Sequence, residues 1–352
     1  MVRAWLPALT ICLIICIGLA GCDASRTAED CPAHHQYYLF RLPLDGSAAD
    51  LVFRSGKLAF NEVGYKLHGL TPDGLHVVYS SNWSTVASID TLFAFSTSDS
   101  SRTELLIGAF ENVALSPRGD RYAYVVADAD PAPQLRVRSI GERREKFVAQ
   151  GTKPRWLSGG DHLAFLWDGA LAVVNVNTLE RFTLLQGTIP SDVLSYDVSP
   201  DASALVYHLG HDGEAADPIY RMAAGRPPGV RVAYGQRPQV IPGTEDVIYV
   251  GTGLRLQIAR RGESSGEPLE GAGTLRRLQY WLSPTGALVA FPTGDHELSV
   301  ADLRTNGVRR FETPWLEIPQ AANLTYDVSW APDESALYLM MTGVYHPPYP
   351  CN

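Results

Sequence analysis

The amino-acid sequence predicts an all-β protein built from seven copies of one β-hairpin, and three observations support this fold class. First, one motif recurs along the chain: an apolar residue, Ser or Thr, Pro, an Asp/Gly-rich turn and an apolar run that ends in an aromatic residue. Second, successive copies are separated by 41 to 48 residues. Third, further strand-like segments lie between the copies, which makes about four strands per repeat. Repeats of roughly 40–45 residues with four strands each are typical of the blades of a β-propeller.

Each copy of the motif is predicted to form two strands joined by a tight turn. The turns are centred on Pro72, Pro117, Ser158, Pro200, Pro242, Pro284 and Pro332. The residues seven positions further on are Tyr79, Tyr124, Phe165, Tyr207, Tyr249, Phe291 and Leu339. Pro, Asp and Gly favour turns, whereas aromatic and β-branched residues favour strands. The second strand of each hairpin is almost continuously apolar, as expected of a strand that is covered on both faces.

The two ends of the chain are predicted to complete one blade together. The last hairpin, at residues 328–341, has no outer strands after it, and residues 37–53 form an outer strand pair with no hairpin before it. Pairing the two halves closes a seven-bladed ring and removes free sheet edges. Residues 37–352 are therefore assigned to a single propeller domain.

The first residues of the chain have the pattern of a secretory signal. Arg3 precedes an apolar run at residues 4–20, and small residues follow it. A positive residue, a short apolar region and small residues before a cut are the parts of a signal peptide. An uncleaved transmembrane helix is the alternative, although about 17 apolar residues are at the lower limit for spanning a bilayer.

The run Leu19-Ala20-Gly21-Cys22 resembles the lipobox of bacterial lipoproteins. That resemblance implies removal of residues 1–21, acylation of Cys22 with chains such as palmitate, and a tether at residues 22–36. Acyl chains hold a protein at a membrane because each buried methylene contributes about 0.8 kcal/mol. The expected location is the cell envelope, facing the periplasm or the exterior. Asp23 resembles an inner-membrane retention signal and favours that membrane, with the outer membrane left open.

Two cysteines of the five remain for a disulfide. Cys12 and Cys16 belong to the signal segment, and Cys22 is assigned to lipid. Cys31 and Cys351 stand at opposite ends of the remaining chain, and a ring closed by its own termini brings such ends together. An oxidising compartment permits the bond. We predict a Cys31–Cys351 disulfide, with two unpaired thiols as the alternative.

The Ser-Pro-Asp-Gly form of the repeat resembles the WD40-like repeat of TolB-like β-propellers. The resemblance covers residues 37–341 and implies the propeller fold. TolB itself carries an α/β domain before a six-bladed propeller, and about fourteen residues separate Cys22 from the first predicted strand. The resemblance therefore does not bring the partner of TolB to this chain.

The composition is that of an acidic globular protein. The sequence holds 29 Lys and Arg against 38 Asp and Glu, a formal net charge of −9. Nucleic acid is not expected as a partner, because phosphate binding needs clustered basic residues. The chain is expected to be a monomer.

Three short motifs are judged to be loops. Residues 262–266 match G-x-S-x-G, but no helical pattern follows them, as a nucleophile elbow requires. Residues 208–212 contain two His and one Asp at a strand exit, where polar loops are common, and residues 128–130 are too short for a calcium loop. No catalytic residue, metal or cofactor is assigned.

The central channel of the ring is the remaining candidate site. Residues of its inner wall, predicted near one mouth, are His68, Asn112, Arg155, Tyr196, Asp197, Arg237, Tyr280, Tyr326 and Asp327. Aromatic, Arg and Asp side chains are typical of protein-binding hot spots, although the same residues could simply pack the blades together. The sequence favours a lipid-anchored interaction or scaffold module that binds an envelope protein, peptide or glycan. A propeller enzyme of hydrolase, lyase or lactonase type with its site at the channel mouth, and a ligand-binding sensor, are the alternatives.

Overall fold

The computed structural model consists of β-strands in every part of the chain that it describes. Those parts are residues 34–55, 58–59, 64–82, 90–142, 144–185, 193–199, 203–209, 217–223, 229–294, 296–313 and 326–345. No helix within these residues is long and apolar enough to cross a membrane. The predicted signal peptide, Cys22, Asp23, Cys31 and Cys351 lie outside them.

The described residues contain twenty-nine strands, which are joined by turns and bends. The closing blade contains β1 (His34–Pro43), β2 (Asp50–Arg54), β28 (Tyr326–Trp330) and β29 (Ala336–Tyr345), and the short β3 (Leu58–Ala59) pairs with β1. The first blade contains β4 (Gly64–Leu70), β5 (His76–Asn82), β6 (Asp90–Ser96) and β7 (Arg102–Gly108). The second contains β8 (Glu111–Leu115), β9 (Arg121–Val126), β10 (Gln134–Ser139) and β11 (Glu145–Gln150). The third contains β12 (Thr152–Trp156), β13 (His162–Trp167), β14 (Ala170–Asn175) and β15 (Arg181–Leu185). The fourth blade contains β16 (Val193–Val198), β17 (Ala204–Leu209), β18 (Pro218–Ala223) and β19 (Val230–Tyr234). The fifth contains β20 (Gln236–Val240), β21 (Val247–Gly251), β22 (Arg255–Ala259) and β23 (Glu267–Pro268). The sixth contains β24 (Trp281–Leu282), β25 (Leu288–Pro292), β26 (Glu297–Asp302) and β27 (Val308–Glu312).

These strands form seven antiparallel sheets, and the predicted seven-bladed β-propeller is confirmed. In six blades the chain passes through four strands in sequence order, as in β4-β5-β6-β7. The innermost strand of each blade (β4, β8, β12, β16, β20, β24 or β28) lines the central channel and ends at the turn of the repeat, so all inner strands run in the same direction. Residues at the start and at the end of these strands consequently face opposite mouths of the channel.

The seventh blade is closed by both ends of the described chain, as predicted. Its strand order is β2-β1-β29-β28. β1 pairs with β29 in continuous register from His34 opposite Tyr345 to Pro43 opposite Ala336. This pairing joins residues that are about 300 positions apart in sequence, so the first and sixth blades both pack against a blade of mixed origin.

Apolar side chains are buried between blades, where each sheet packs on the next. The recurring aromatic residues lie in these interfaces, and Tyr79, Phe165, Tyr249 and Phe291 are buried there. One cluster combines Ala123 and Val125 of one blade with Leu163 and Phe165 of the next. A single four-stranded blade cannot bury both of its apolar faces, which is the physical reason for the ring.

The Pro and Gly positions of the repeat contact each other between neighbouring blades. Gly119 and Gly286 have φ angles of 71° and 74°, a conformation that favours glycine. A Cβ added at Gly119 would lie 2.4 Å from Cδ of Pro72, and one at Gly286 would lie 2.7 Å from Cδ of Pro242. The turn glycine of one blade therefore packs directly on the turn proline of the preceding blade.

Candidate functional site

The central channel opens through two cavities at its opposite ends. The proline mouth, of about 670 Å³, is bordered by the turns that end the inner strands. The lysine mouth, of about 370 Å³, lies at the other end of the channel, where the inner strands begin. His68 and Arg155 line both cavities, so they lie at the junction between them.

The proline mouth has an apolar rim and a polar floor. The rim residues are Leu70, Pro72, Leu115, Pro117, Trp281, Leu282, Pro284, Trp330 and Pro332. The floor residues are His68, Arg155, Gln239, Tyr280 and Ser329. Trp330 is held in place because its Nε1 donates a 2.9 Å hydrogen bond to the carbonyl oxygen of Trp281.

The lysine mouth is lined by polar and cationic side chains. Its polar residues are Lys66, His68, Asn112, Lys153, Arg155, Ser195 and Tyr196. The described residues of this lining include no carboxylate. Burial lowers the pKa of Lys153. Asp90 and Glu111 line an adjoining cavity that shares Lys66 and His68, so Lys153 and Arg155 are the cations of this mouth that favour an anionic ligand.

Arg155 and Asp197 form an ion pair in the channel wall. A guanidinium nitrogen of Arg155 donates to Oδ1 of Asp197, and the carboxylate raises the pKa of Arg155. Asp197 also accepts two backbone hydrogen bonds, from the amides of Val198 at 2.9 Å and of Val240 in the next blade at 2.9 Å. The side chain of Arg155 nevertheless remains 40% exposed, so it can still contact a ligand.

Tyr196 and Tyr280 join neighbouring blades in the same way. The hydroxyl of Tyr196 donates to the carbonyl oxygen of Lys153 and, at 3.1 Å, to that of Ala164. In the same way, the hydroxyl of Tyr280 in the sixth blade donates to the carbonyl oxygen of Arg237 in the fifth blade and, at 2.9 Å, to that of Ile248. Burial raises the pKa of both phenols. These two tyrosines therefore pack blades together, as the alternative interpretation from sequence expected.

The other predicted residues are distributed around the wall. Asn112 lies in the lysine mouth. Asn112 and Arg237 both have a left-handed backbone conformation. Asp327 accepts a 3.3 Å hydrogen bond from the amide of Leu67 in the first blade, and burial raises its pKa. The side chain of Tyr326 lies outside the described part of the chain. The structure thus brings Arg155, Tyr196, Asp197, Arg237 and Tyr280 together on one side of the channel.

His68 faces Ser80 across the first blade, with 2.9 Å between Nε2 and Oγ. Burial, helped by the charge of Lys66, lowers the pKa of His68 to about 3. In the unfolded chain the same imidazole titrates near 6.5. The unfolded state therefore binds more protons below pH 6.5, and stability is lost as the pH falls from there toward 3.

The pH dependence of unfolding is expected to change when His68 is replaced. Wild-type protein should lose stability between pH 6.5 and 4, with a contribution from His68 of at most about 1.4 kcal/mol per pH unit. His68→Asn keeps a polar group facing Ser80 and removes the titration, so its slope should be shallower. Urea unfolding at several pH values measures both slopes. Identical slopes in the two proteins would contradict the assignment.

Two of the three motifs judged to be loops, residues 128–130 and 262–266, lie in turns and bends, whereas His208 of the third motif lies on the strand β17. Ser264 and Ser265 are exposed in a turn. His211 and Asp212 lie outside the described residues. No group of three or more His, Cys, Asp or Glu side chains is arranged to hold a metal ion among the residues that the structure describes.

Sequence reasoning missed one cluster, which lies in the fourth blade. Ser195 on β16 and His208 on β17 are register partners, and Asp217 lies two residues before Ile219, the register partner of His208 on β18. Ser195 Oγ lies 2.7 Å from His208 Nδ1, and His208 Nε2 lies 3.4 Å from Asp217 Oδ2. From sequence alone, His208 is assigned only to a polar loop at a strand exit.

The fold and the channel define the class of this protein, a seven-bladed β-propeller with a polar, two-mouthed channel. Neither the known protein-family models nor the curated proteins contain a match to the chain.

Similar solved structures come from proteins of different activities. One is an oligogalacturonate lyase from Vibrio parahaemolyticus, with a TM-score of 0.64 and 11% identity over 87% of this chain and 96% of that one. Another is the hydrazine synthase of Kuenenia stuttgartiensis, with a TM-score of 0.53 and 15% identity over 78% and 93%. A putative TolB from Agrobacterium tumefaciens has a TM-score of 0.49 and 12% identity over 88% and 99%. At these identities the likeness shows the fold alone, which does not choose between a binding module and an enzyme.

Proposed function

We propose that this protein is a lipid-anchored binding module of the cell envelope whose proline mouth receives a polypeptide segment. The segment has an apolar body and an acidic side chain or free carboxyl terminus. The single observation that carries the proposal is the position of Arg155. Its side chain remains 40% exposed at the floor of a cavity of about 670 Å³ whose rim is apolar.

The dimensions and chemistry of the proline mouth fit such a segment. Cavities of roughly 300–1,000 Å³ that are mainly apolar, with a few placed polar groups, are typical ligand sites. Trp281 and the rim prolines offer rigid apolar surface. Arg155 offers a planar donor that pairs well with a carboxylate. Asp197 already fixes this guanidinium, so little side-chain entropy is lost when a ligand binds.

The predicted acylation of Cys22 supports the envelope part of the proposal. A lipid on that residue would hold the ring near a membrane surface, where other envelope proteins present their termini and linkers. The predicted tether ends where β1 begins at His34, and residues 22–33 ahead of that strand would let the ring turn toward such a partner.

A display library of peptides, panned on the full-length chain in detergent, tests the proposal. Enriched peptides are expected to combine apolar residues with an Asp, a Glu or a free carboxyl terminus. Their affinity, measured by isothermal titration calorimetry, should fall at least about tenfold in Arg155→Gln, since a charge-assisted pair contributes roughly 1.5–3 kcal/mol.

Arg181→Gln is the matched control, because it removes the same charge from an exposed position on the outer strand β15. Its affinity should equal that of the wild type. The proposal is wrong if no peptide is enriched, or if Arg155→Gln binds the enriched peptides as well as Arg181→Gln does. Thermal unfolding of each variant establishes that the fold is retained.

A further inference from the structure

A serine, a histidine and an aspartate stand in a row across the fourth blade, and the serine faces the channel. The side chains of His208 and Asp217 are only 4% and 9% exposed. Ser195 is half-buried and lines the lysine mouth. We propose that Ser195 is a nucleophile, that His208 is its general base, and that Asp217 positions the imidazole. The site would hydrolyse small carboxylic esters, an activity beyond the binding role proposed above.

The sheet itself fixes the geometry of this row. Ser195 and His208 are register partners in the β16–β17 pair, and β18, which begins directly after Asp217, pairs with the other edge of β17. The register of β16 shifts between Val193 and Ser195, and the inner strands β4, β8, β12 and β20 of other blades shift in the same way. Side chains carried by paired strands are held more rigidly than side chains on loops.

The proton positions suit a general base. Burial lowers the pKa of His208, and Lys153 and Arg237 act in the same direction, whereas Asp217 opposes them. The imidazole is therefore neutral at pH 7. The carboxylate of Asp217 favours the tautomer with the proton on Nε2, which leaves the Nδ1 lone pair directed at the Ser195 hydroxyl, 2.7 Å away. The 3.4 Å contact to Asp217 is long, and contacts of this kind tighten when the ring gains charge.

The lysine mouth indicates which substrates reach Ser195. Its volume of about 370 Å³ accommodates a small molecule, and Lys153 and Arg155 lie in the same lining as Ser195. An ester that carries a separate carboxylate would be held by these cations. The same positive charge would stabilise the oxyanion that forms when the ester carbonyl is attacked.

The reaction proceeds in two balanced steps. Ser195 Oγ bonds to the ester carbonyl carbon while its proton passes to His208 Nδ1, and the tetrahedral alkoxide then expels the alcohol, which takes that proton. Water next adds to the acyl carbon and gives a proton to His208. Collapse of this second intermediate breaks the bond to Ser195, which recovers the proton, and releases the carboxylic acid.

A fluorophosphonate probe and mono-4-nitrophenyl succinate test the proposal on the full-length chain in detergent. Peptide mapping of the labelled wild-type protein by mass spectrometry should place the phosphonate on Ser195. Ser195→Ala should abolish labelling, and His208→Gln should slow both labelling and ester hydrolysis by about 100-fold or more, the usual contribution of a general base. Asp217→Asn should slow both and move the pH profile of hydrolysis.

Ser264→Ala is the control, because Ser264 is the exposed serine of the G-x-S-x-G look-alike. It should leave labelling and hydrolysis unchanged. Labelling of another residue, or no labelling of the wild-type protein, would overturn the proposal without any variant. Succinate-ester hydrolysis that persists in a folded Ser195→Ala protein would overturn it as well. Peptide binding at the proline mouth is measured in a separate experiment. A negative result for ester hydrolysis therefore does not affect the proposed binding function, and a negative result for peptide binding does not affect the proposed hydrolysis.

Discussion

Phe40→Ala is expected to lower the free energy of unfolding by about 4 kcal/mol, because it removes a large side chain from the blade that closes the ring. Phe40 lies on β1 and is 0% exposed. It packs in one cluster with Leu339 of β29 and with Leu298 and Val300 of the sixth blade. The cavity would therefore weaken both the pairing of the two chain ends and the contact between neighbouring blades. Urea denaturation followed by tryptophan fluorescence measures the change.

Leu51→Ala is the matched control for this experiment. Leu51 is the register partner of Phe40 on β2, yet its side chain is 49% exposed. Its replacement should change the free energy of unfolding by no more than about 0.5 kcal/mol. If the two variants lose the same stability, the closing blade does not unfold cooperatively with the ring, and the account of closure given above is wrong.

Asp197→Ala is expected to cost about 3 kcal/mol. The substitution leaves the amide of Val240 without its acceptor and removes the counter-charge of Arg155. A buried donor that loses its partner costs roughly 1–3 kcal/mol, and loss of one member of a buried ion pair costs more. Because Arg155 is partly solvated, the effect should stay at the lower end of the range for buried pairs.

Asp327→Ala is the comparison variant for Asp197→Ala, and it is expected to lose less stability. Asp327 also accepts a hydrogen bond from the next blade, at 3.3 Å from the Leu67 amide. Within the described parts of the chain, no arginine forms an ion pair with it. Its loss should cost about 1 kcal/mol, the value of a single hydrogen bond. Equal losses in the two variants would mean that the Arg155–Asp197 pair adds nothing to stability.

The number and closure of the blades could be predicted from sequence because both leave a periodic trace. Buried residues such as Tyr79 and Phe165 recur at one position after each turn, and burial between blades requires an apolar residue there in every repeat. The incomplete units at the two ends indicated the shared blade, and the β1–β29 pairing confirms it. The predicted link between Cys31 and Cys351 remains a prediction.

The channel was predictable only in part. The polar residues of the inner strands could be located, but their contacts depend on which neighbouring blade each side chain reaches. Tyr196 and Tyr280 were candidate ligand contacts, and they donate to backbone carbonyls of the preceding blade. The cluster of Ser195, His208 and Asp217 gave no periodic signal, since its members come from three strands of one blade and do not recur in the other repeats.

The contacts of Gly119 with Pro72 and of Gly286 with Pro242 make the turns of two blade pairs dependent on each other's sequence. Gly119 requires a flat proline ring at Pro72, and Pro72 requires a residue without a side chain at Gly119. A blade taken from elsewhere in the chain would therefore fit only where both halves of this contact are preserved. Duplication of whole units keeps the pair intact, whereas shuffling or point substitution at one turn disturbs two blades at once. These contacts lie in the turns, away from the polar side chains that line the channel, so the channel residues can diverge without disturbing them.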